Sequence, residues 1–220
     1  MKYLAIALFI ALFAPAPAAA QSAYDKVYME MVETAKTMPA DFDFRMLRST
    51  YIRTTFYDPF GENAYKQKLF ALLDRAKAGD QAAQADAAMM ADQYFASYKI
   101  HSYMATSGLV TPQQAKLHEW ALKGIARSMI GADDGSSPEK AIKVIDVGEE
   151  YFLIRTYLLG KKTGQQSTLQ KNGKVYDMVG YTDEAGNMKQ AYFDVTIPFS
   201  KYPAGETAKA PAPAAASAAP

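Results

Sequence analysis

Gln165-Gln166-Ser167-Thr168-Leu169-Gln170-Lys171-Asn172-Gly173-Lys174-Val175-Tyr176-Asp177-Met178-Val179-Gly180-Tyr181-Thr182 decides how the C-terminal part of this chain folds. An Asn-Gly pair between two strand-like runs is a strong local signal for a β-hairpin, because a tight turn needs residues that tolerate positive φ. Residues 165–170 and 174–182 therefore read as paired strands. Glu184-Ala185-Gly186-Asn187 is a second turn. Residues 188–197 read as the last strand, with Ala191, Phe193 and Val195 on one face and Tyr192, Asp194 and Thr196 on the other. Upstream, residues 142–147 and 150–159 are rich in β-branched and aromatic residues and also read as strands, with a turn over 160–164. Asp133-Asp134-Gly135-Ser136-Ser137 is a polar loop before them, and residues 138–141 suit one helical turn with Ser136 and Glu139 as a capping box.

The chain before Gly131 has a different period. Tyr24, Val27, Tyr28, Met31 and Ala35 fall on one helical face, and Pro39 ends that helix. Phe44, Leu47 and Tyr51 mark a second helix starting at Asp41 or Asp43. Tyr65, Leu69, Leu72, Leu73 and Ala76 mark a third, stopped at Gly79. Asp80 caps the following segment, and residues 81–107 are long enough to be two helices broken near Asp92. Thr111-Pro112-Gln113-Gln114 combines an N-cap, a first-turn proline and a capping-box glutamine. The stripe behind it is His118, Ala121, Leu122, Ile125 and Met129.

Helices first and strands afterwards is the α+β order. The expected architecture is a set of N-terminal antiparallel helix pairs packed on a C-terminal antiparallel β-meander. The pairs are tetratricopeptide-like in shape, but no repeat of about 34 residues is present. Residues 21–131 form the helical part and 132–202 the β-rich part, together one domain. Residues 203–220 are Pro/Ala-rich and expected to be disordered.

The first twenty residues set the compartment. Lys2, the apolar run from Leu4 to Phe13 and Ala18-x-Ala20 match the charge, core and cleavage pattern of a secretory signal peptide. Cleavage is expected before Gln21, with the product periplasmic or secreted. It removes Lys2 and leaves 23 basic residues against 23 acidic ones. A neutral chain argues against a nucleic-acid partner, whose affinity comes mainly from clustered Lys and Arg. Cysteine is absent. That excludes disulfides, thiol chemistry, thiolate metal sites and a lipid anchor on a cleavage-site cysteine, and no membrane anchor is expected after cleavage.

Several chemistries fail on spacing. His118-Glu119-Trp120-Ala121-Leu122 begins like a zincin helix but has Leu122 where the second His must stand. Aligning Gly135 with the glycine of an EF-hand loop puts Ile130 and Ala141 at ligand positions. No Gly-x-Ser-x-Gly elbow, Walker loop or dinucleotide fingerprint is present, so no cofactor-binding motif is identified.

What remains is a short set of polar groups. His101 and His118 are the only histidines. On facing helices they can form an acid/base pair or supply two metal ligands, with Asp92, Glu119, Asp134 or Glu149 to complete the set; a buried hydrogen-bonded pair is the simpler reading. Glu149 and Glu150 can divide acid and base roles only if they share a face, which adjacent strand residues do not. Arg155 is a possible ion-pair partner for one of them. Tyr94, Tyr98 and Tyr103 suit either a sugar- or peptide-binding surface or the core.

Ser128, Asp134-Gly135, Ser137, Ala141, Val144-Ile145, Glu149-Glu150-Tyr151, Tyr176-Asp177 and Tyr192-Phe193-Asp194 resemble a family of exported bacterial proteins known only as a domain of unknown function. The resemblance covers roughly residues 40–200. It implies a histidine on each of two helices before the loop, positions held here by His101 and His118. The family's loop reads Gly-Asp-Gly, whereas this chain has Asp133-Asp134-Gly135. The resemblance carries no activity. It implies that His101, His118, Asp134, Glu149, Glu150 and Tyr151 gather at the helix–sheet junction. Two functions fit: a binding or assembly module with a protein or peptide partner in the cell envelope, or a hydrolase with a His/carboxylate site, with or without a metal, at that junction.

Overall fold

A computed structural model describes residues 18–60 and 62–201. Most of the expected leader and the whole Pro/Ala-rich tail lie outside the described residues. The helices are α1 (Ala18–Ala35), α2 (Phe44–Tyr51), α3 (Glu62–Lys77), α4 (Gln81–Gln93), α5 (Tyr98–Thr106), α6 (Pro112–Met129), α7 (Gly148–Thr156) and α8 (Thr196–Ser200). A 3-10 turn covers Pro138–Lys140. The strands are β1 (Ile142–Lys143), β2 (Lys161–Lys171), β3 (Lys174–Thr182) and β4 (Met188–Asp194). The class is α+β. Among the described residues no helix is long and apolar enough to cross a membrane.

Local signals place the N-terminal helices. The Asp43 carboxylate accepts the Met46 N–H and starts α2; the Asp80 carboxylate accepts Ala83 N–H and starts α4. Thr111 and Gln114 complete a reciprocal capping box on α6. Helices adjacent in sequence pack in pairs, α1 on α2, α3 on α4 and α5 on α6. Leu69, Leu72, Leu73, Ala87, Met90, Ile100 and Met104 fill a satellite core between α3, α4 and α5. A larger core joins α1, α2, α6 and α7 to the sheet through Tyr28, Leu47, Ile125, Leu153, Ile154, Val179 and Phe193. The stripe on α1 is rotated from its expected position: Tyr28, Val32 and Ala35 are buried, whereas Tyr24 and Val27 are exposed. Tyr24 instead carries the Arg53 guanidinium over its ring at 5.2 Å.

The sheet order is β1-β4-β3-β2. The hairpin turn is where Asn172-Gly173 places it, both residues with positive φ. Three strands form the expected antiparallel meander, but β1 pairs with β4 in parallel, Ile142 opposite Phe193, so the sheet is mixed. Four boundaries differ from expectation. The turn expected over 160–164 is β2 continuing through an irregularity between Lys162 and Gln166. The strand expected over 142–147 pairs for only two residues. The last strand ends at Asp194, whose carboxylate accepts from the Thr196 N–H and hydroxyl and bends the chain into α8. Pro138–Lys140 is a turn capped at Ser137 without a side-chain bond, not by a Ser136/Glu139 box.

The largest correction concerns residues 150–159, expected as a strand. Gly148–Thr156 is helix α7. A short apolar run does not distinguish a buried strand from a buried helix by period. Charge placement does: Glu149, paired with Arg48, sits in the first turn and Arg155 in the last, matching the helix dipole.

One close contact fixes α6 against α2. The Phe44 ring lies on Gly124, where an added Cβ would come within 2.0 Å of it. Gly124→Ala therefore gains up to about 1 kcal/mol of helix propensity but overpacks Phe44, a change that typically costs about 1–3 kcal/mol. A net loss of stability is expected in urea unfolding; a gain would contradict this packing.

Candidate functional site

The two histidines meet. His101 from α5 and His118 from α6 are buried, with their Nδ1 atoms 3.0 Å apart. His101 Nε2 lies 2.7 Å from the Phe95 carbonyl oxygen, which only accepts. That nitrogen therefore carries the proton, leaving His101 Nδ1 to accept from the Nδ1–H of His118. Burial pushes His101 down to about 3, helped by the neighbouring His118, and burial alone pushes His118 down to about 4. Both rings are neutral at physiological pH. Among the described residues no group of three or more His, Asp or Glu side chains is placed to hold a metal ion. Asp92, a possible third group, accepts instead from Lys36 at 2.7 Å, and Glu119 is exposed on α6.

Glu149 and Glu150, one helical step apart, enter different surroundings. Glu149 receives Arg48 of α2 in a two-pronged pair, 2.5 and 2.9 Å, and the Ile145 N–H at 2.9 Å. Both side chains are buried. The partner is Arg48, from a distant helix, and not Arg155, which is exposed.

Glu150 points to the sheet, is 0% exposed, and neither of its carboxyl oxygens has a hydrogen-bond partner among the described residues. Burial raises its pKa well above the carboxylate range, with the charges of Asp177 and Asp146 adding to the effect. Burial thus favours its neutral, protonated form. Around it stands a polar cluster from β2 and β3. Asp177 accepts from Gln166 Nε2 at 2.9 Å and Thr168 Oγ1 at 2.7 Å. Tyr151 donates to Gln166 Oε1 at 2.7 Å, and Lys162 Nζ reaches the Tyr151 oxygen at 2.9 Å. Burial, then Glu150 and Asp177, push the Tyr151 phenol up to about 12.

Asp134 stands apart from all of these. Its carboxylate accepts the Ser136 N–H at 2.9 Å and lies 3.8 Å from Lys140. The adjacent Gly135, at φ +72°, is buried against Ile142, and its carbonyl accepts the Tyr192 N–H. The loop is thus pinned to the edge of β4. The six residues expected as one cluster occupy four places: the His101–His118 pair, the Glu149–Arg48 pair, the Glu150–Tyr151 cluster and the Asp134 loop. Asp177 joins Glu150 and was among the residues carrying the resemblance. Tyr94 stacks on Tyr65 and Tyr98 on Phe152, so these two tyrosines serve packing.

Sequence reading missed a further feature. Between α2 and α6 lies a groove of about 340 Å³, lined by Phe42, Phe44, Arg45, Trp120, Lys123 and Arg127, among others. Trp120 lies 4.8 Å from Phe44 and 5.7 Å from Phe42, between ring centroids. The signal was present on α6: Trp120, Lys123, Gly124 and Arg127 share one helical face, beside the apolar stripe of His118, Ala121 and Ile125.

The model of a family described as a domain of unknown function (DUF4919) matches residues 18–203. The chain belongs to the DUF4919 family. No curated protein and no solved structure matches it. DUF4919 membership supplies no activity, so function must be argued from the groove and the buried clusters.

The buried titratable groups give opposite pH dependences. A histidine with a lowered folded pKa stabilises fully above its unfolded value near 6.5, and that stability is lost as pH falls toward 3–4. A carboxyl with a raised folded pKa stabilises below its unfolded value near 4.5, and that stability is lost as pH rises. Relative to wild type, Glu150→Gln should gain stability as pH rises above about 4.5. His118→Gln should lose part of the wild-type decline between pH 6.5 and 5, which reaches about 1.4 kcal/mol per pH unit for each fully neutral imidazole. Urea unfolding across pH checks both; parallel curves for wild type and variants would contradict the buried neutral states.

Proposed function

We propose that this protein is an exported binding module of the cell envelope that takes a small ligand in the α2–α6 groove. The groove carries the reading. Its volume of about 340 Å³ falls at the lower end of ligand pockets, which run about 300–1,000 Å³, and its lining mixes aromatic walls with a few polar groups. It suits a small molecule, or the end of a larger envelope polymer or peptide, better than a whole docked helix. The leader pattern in residues 1–20 supports export.

The hydrolase reading has no observation in its favour. His101 and His118 bond each other and a backbone carbonyl, Glu149 is held by Arg48, and the Glu150 carboxyl has no histidine among its neighbours.

Trp120 is the single tryptophan of the chain, so the emission of the intact protein reports on the groove. A low-molecular-weight fraction of digested envelope should shift that emission saturably, and the purified envelope form should begin at Gln21. Emission unchanged by every fraction would contradict the binding reading, and an envelope form beginning at Met1 would contradict cleavage.

A further inference from the structure

Resting on that binding reading, we infer that the α2–α6 groove recognises an acidic sugar: a sugar ring packed on the Phe42–Phe44–Trp120 wall, with its carboxylate or phosphate held by Arg45, Lys123 and Arg127. The wall comes first. Phe42 and Phe44 lie 4.9 Å apart between ring centroids, and Trp120 adjoins both. The floor is kept narrow by Gly124, whose missing side chain lets Phe44 sit against the α6 backbone. The rings are tilted or edge-on to one another and Phe44 is buried beneath them, so a ligand ring meets the half-buried Phe42 and Trp120.

Charge selects the rest. Arg45, Lys123 and Arg127 line the groove, and among the described residues none of them forms an ion pair. Lys123 and Arg127 are one turn apart on α6, and like charges at that spacing destabilise a helix. Glu119, one turn before Lys123, makes no ion pair with it among the described residues. Arg45 has only a long 3.4 Å bond to the Ile130 carbonyl. The one carboxylate in the lining, Asp43, caps α2 through the Met46 N–H, so the lining carries three cations against one anion. In a chain with 24 basic and 23 acidic residues, three unpaired cations around one aromatic wall are a local excess. An arriving anion relieves their repulsion and gains charge-assisted hydrogen bonds.

Shape favours a sugar over an aromatic acid. The groove is open, so the face of the ligand turned away from the wall stays in water. A sugar offers C–H groups to the rings and hydroxyls to the solvent. An aromatic acid would leave a second apolar face exposed.

The test is titration of the intact protein at fixed ionic strength, followed by Trp120 emission, with glucuronic acid, glucose 6-phosphate, glucose, inorganic phosphate and benzoate. One or both acidic sugars should bind at least about tenfold tighter than glucose, phosphate or benzoate. The Lys123→Gln/Arg127→Gln variant should lose that preference without losing thermal stability. Glucose or benzoate binding as tightly, or phosphate alone accounting for the affinity, overturns the acidic-sugar inference and leaves the groove as a binding site. Silence toward all five probes overturns the inference as well. If digested envelope is also silent, the binding reading falls with it. Retention of the preference by the double variant overturns the assignment of the cations.

Discussion

One buried ion pair, Arg48 with Glu149, sets how the helical part meets the sheet. Arg48 comes from the second helix and Glu149 from the first turn of α7, beside the sheet. A buried charge is tolerated only with a well-placed opposite charge and its remaining hydrogen bonds satisfied. Here the two-pronged contact and the Ile145 N–H supply both. The same short segment receives three more ties from the helical part. Tyr57 donates to the Ile145 carbonyl, Lys99 pairs with Asp146, and Tyr98 donates to the Gly148 carbonyl. Residues 145–149 are thus where the helices are joined to the sheet.

Helix α2 carries this constraint into the groove. Arg48 reaches Glu149, while Phe44 and Arg45, one turn earlier, line the groove beside α6. Eight residues therefore contribute both the ion pair that positions the helix and two groups of the proposed ligand site. The histidine pair sets the other wall: the bond between His101 and His118 ties α5 to α6, and α6 carries Trp120, Lys123 and Arg127. The histidines thus hold helices α5 and α6 together. Glu150 is different. Its buried carboxyl beside Asp177 is a local conflict in the core, eased by the protonated form that burial favours.

The helical part was legible because its signals are local. Asp43, Asp80, Thr111 and Gln114 act within one turn, as did Asn172-Gly173 in the hairpin. What failed was decided by distant contacts. Residues 150–159 read as a strand on composition, yet most of them belong to helix α7, whose first turn is held by the distant Arg48. β1 pairs in parallel with β4, across about fifty intervening residues; nothing near Ile142 announces it. The site was legible only in part: the histidines were recognised as a pair, but Glu149's partner lies 101 residues away and could not be chosen over Arg155. The groove needed α2 and α6 side by side before its charges and rings made one surface.

The most direct measurement of this account is a double-mutant cycle on Arg48 and Glu149, with Arg48→Met, Glu149→Leu and the double variant unfolded in urea at pH 7. Each single change strands a buried charge and should cost about 3–5 kcal/mol, whereas the double change should cost far less than their sum. Single losses below about 1 kcal/mol that simply add would mean that the pair does not join the two parts of the fold, and the account built on it would fail.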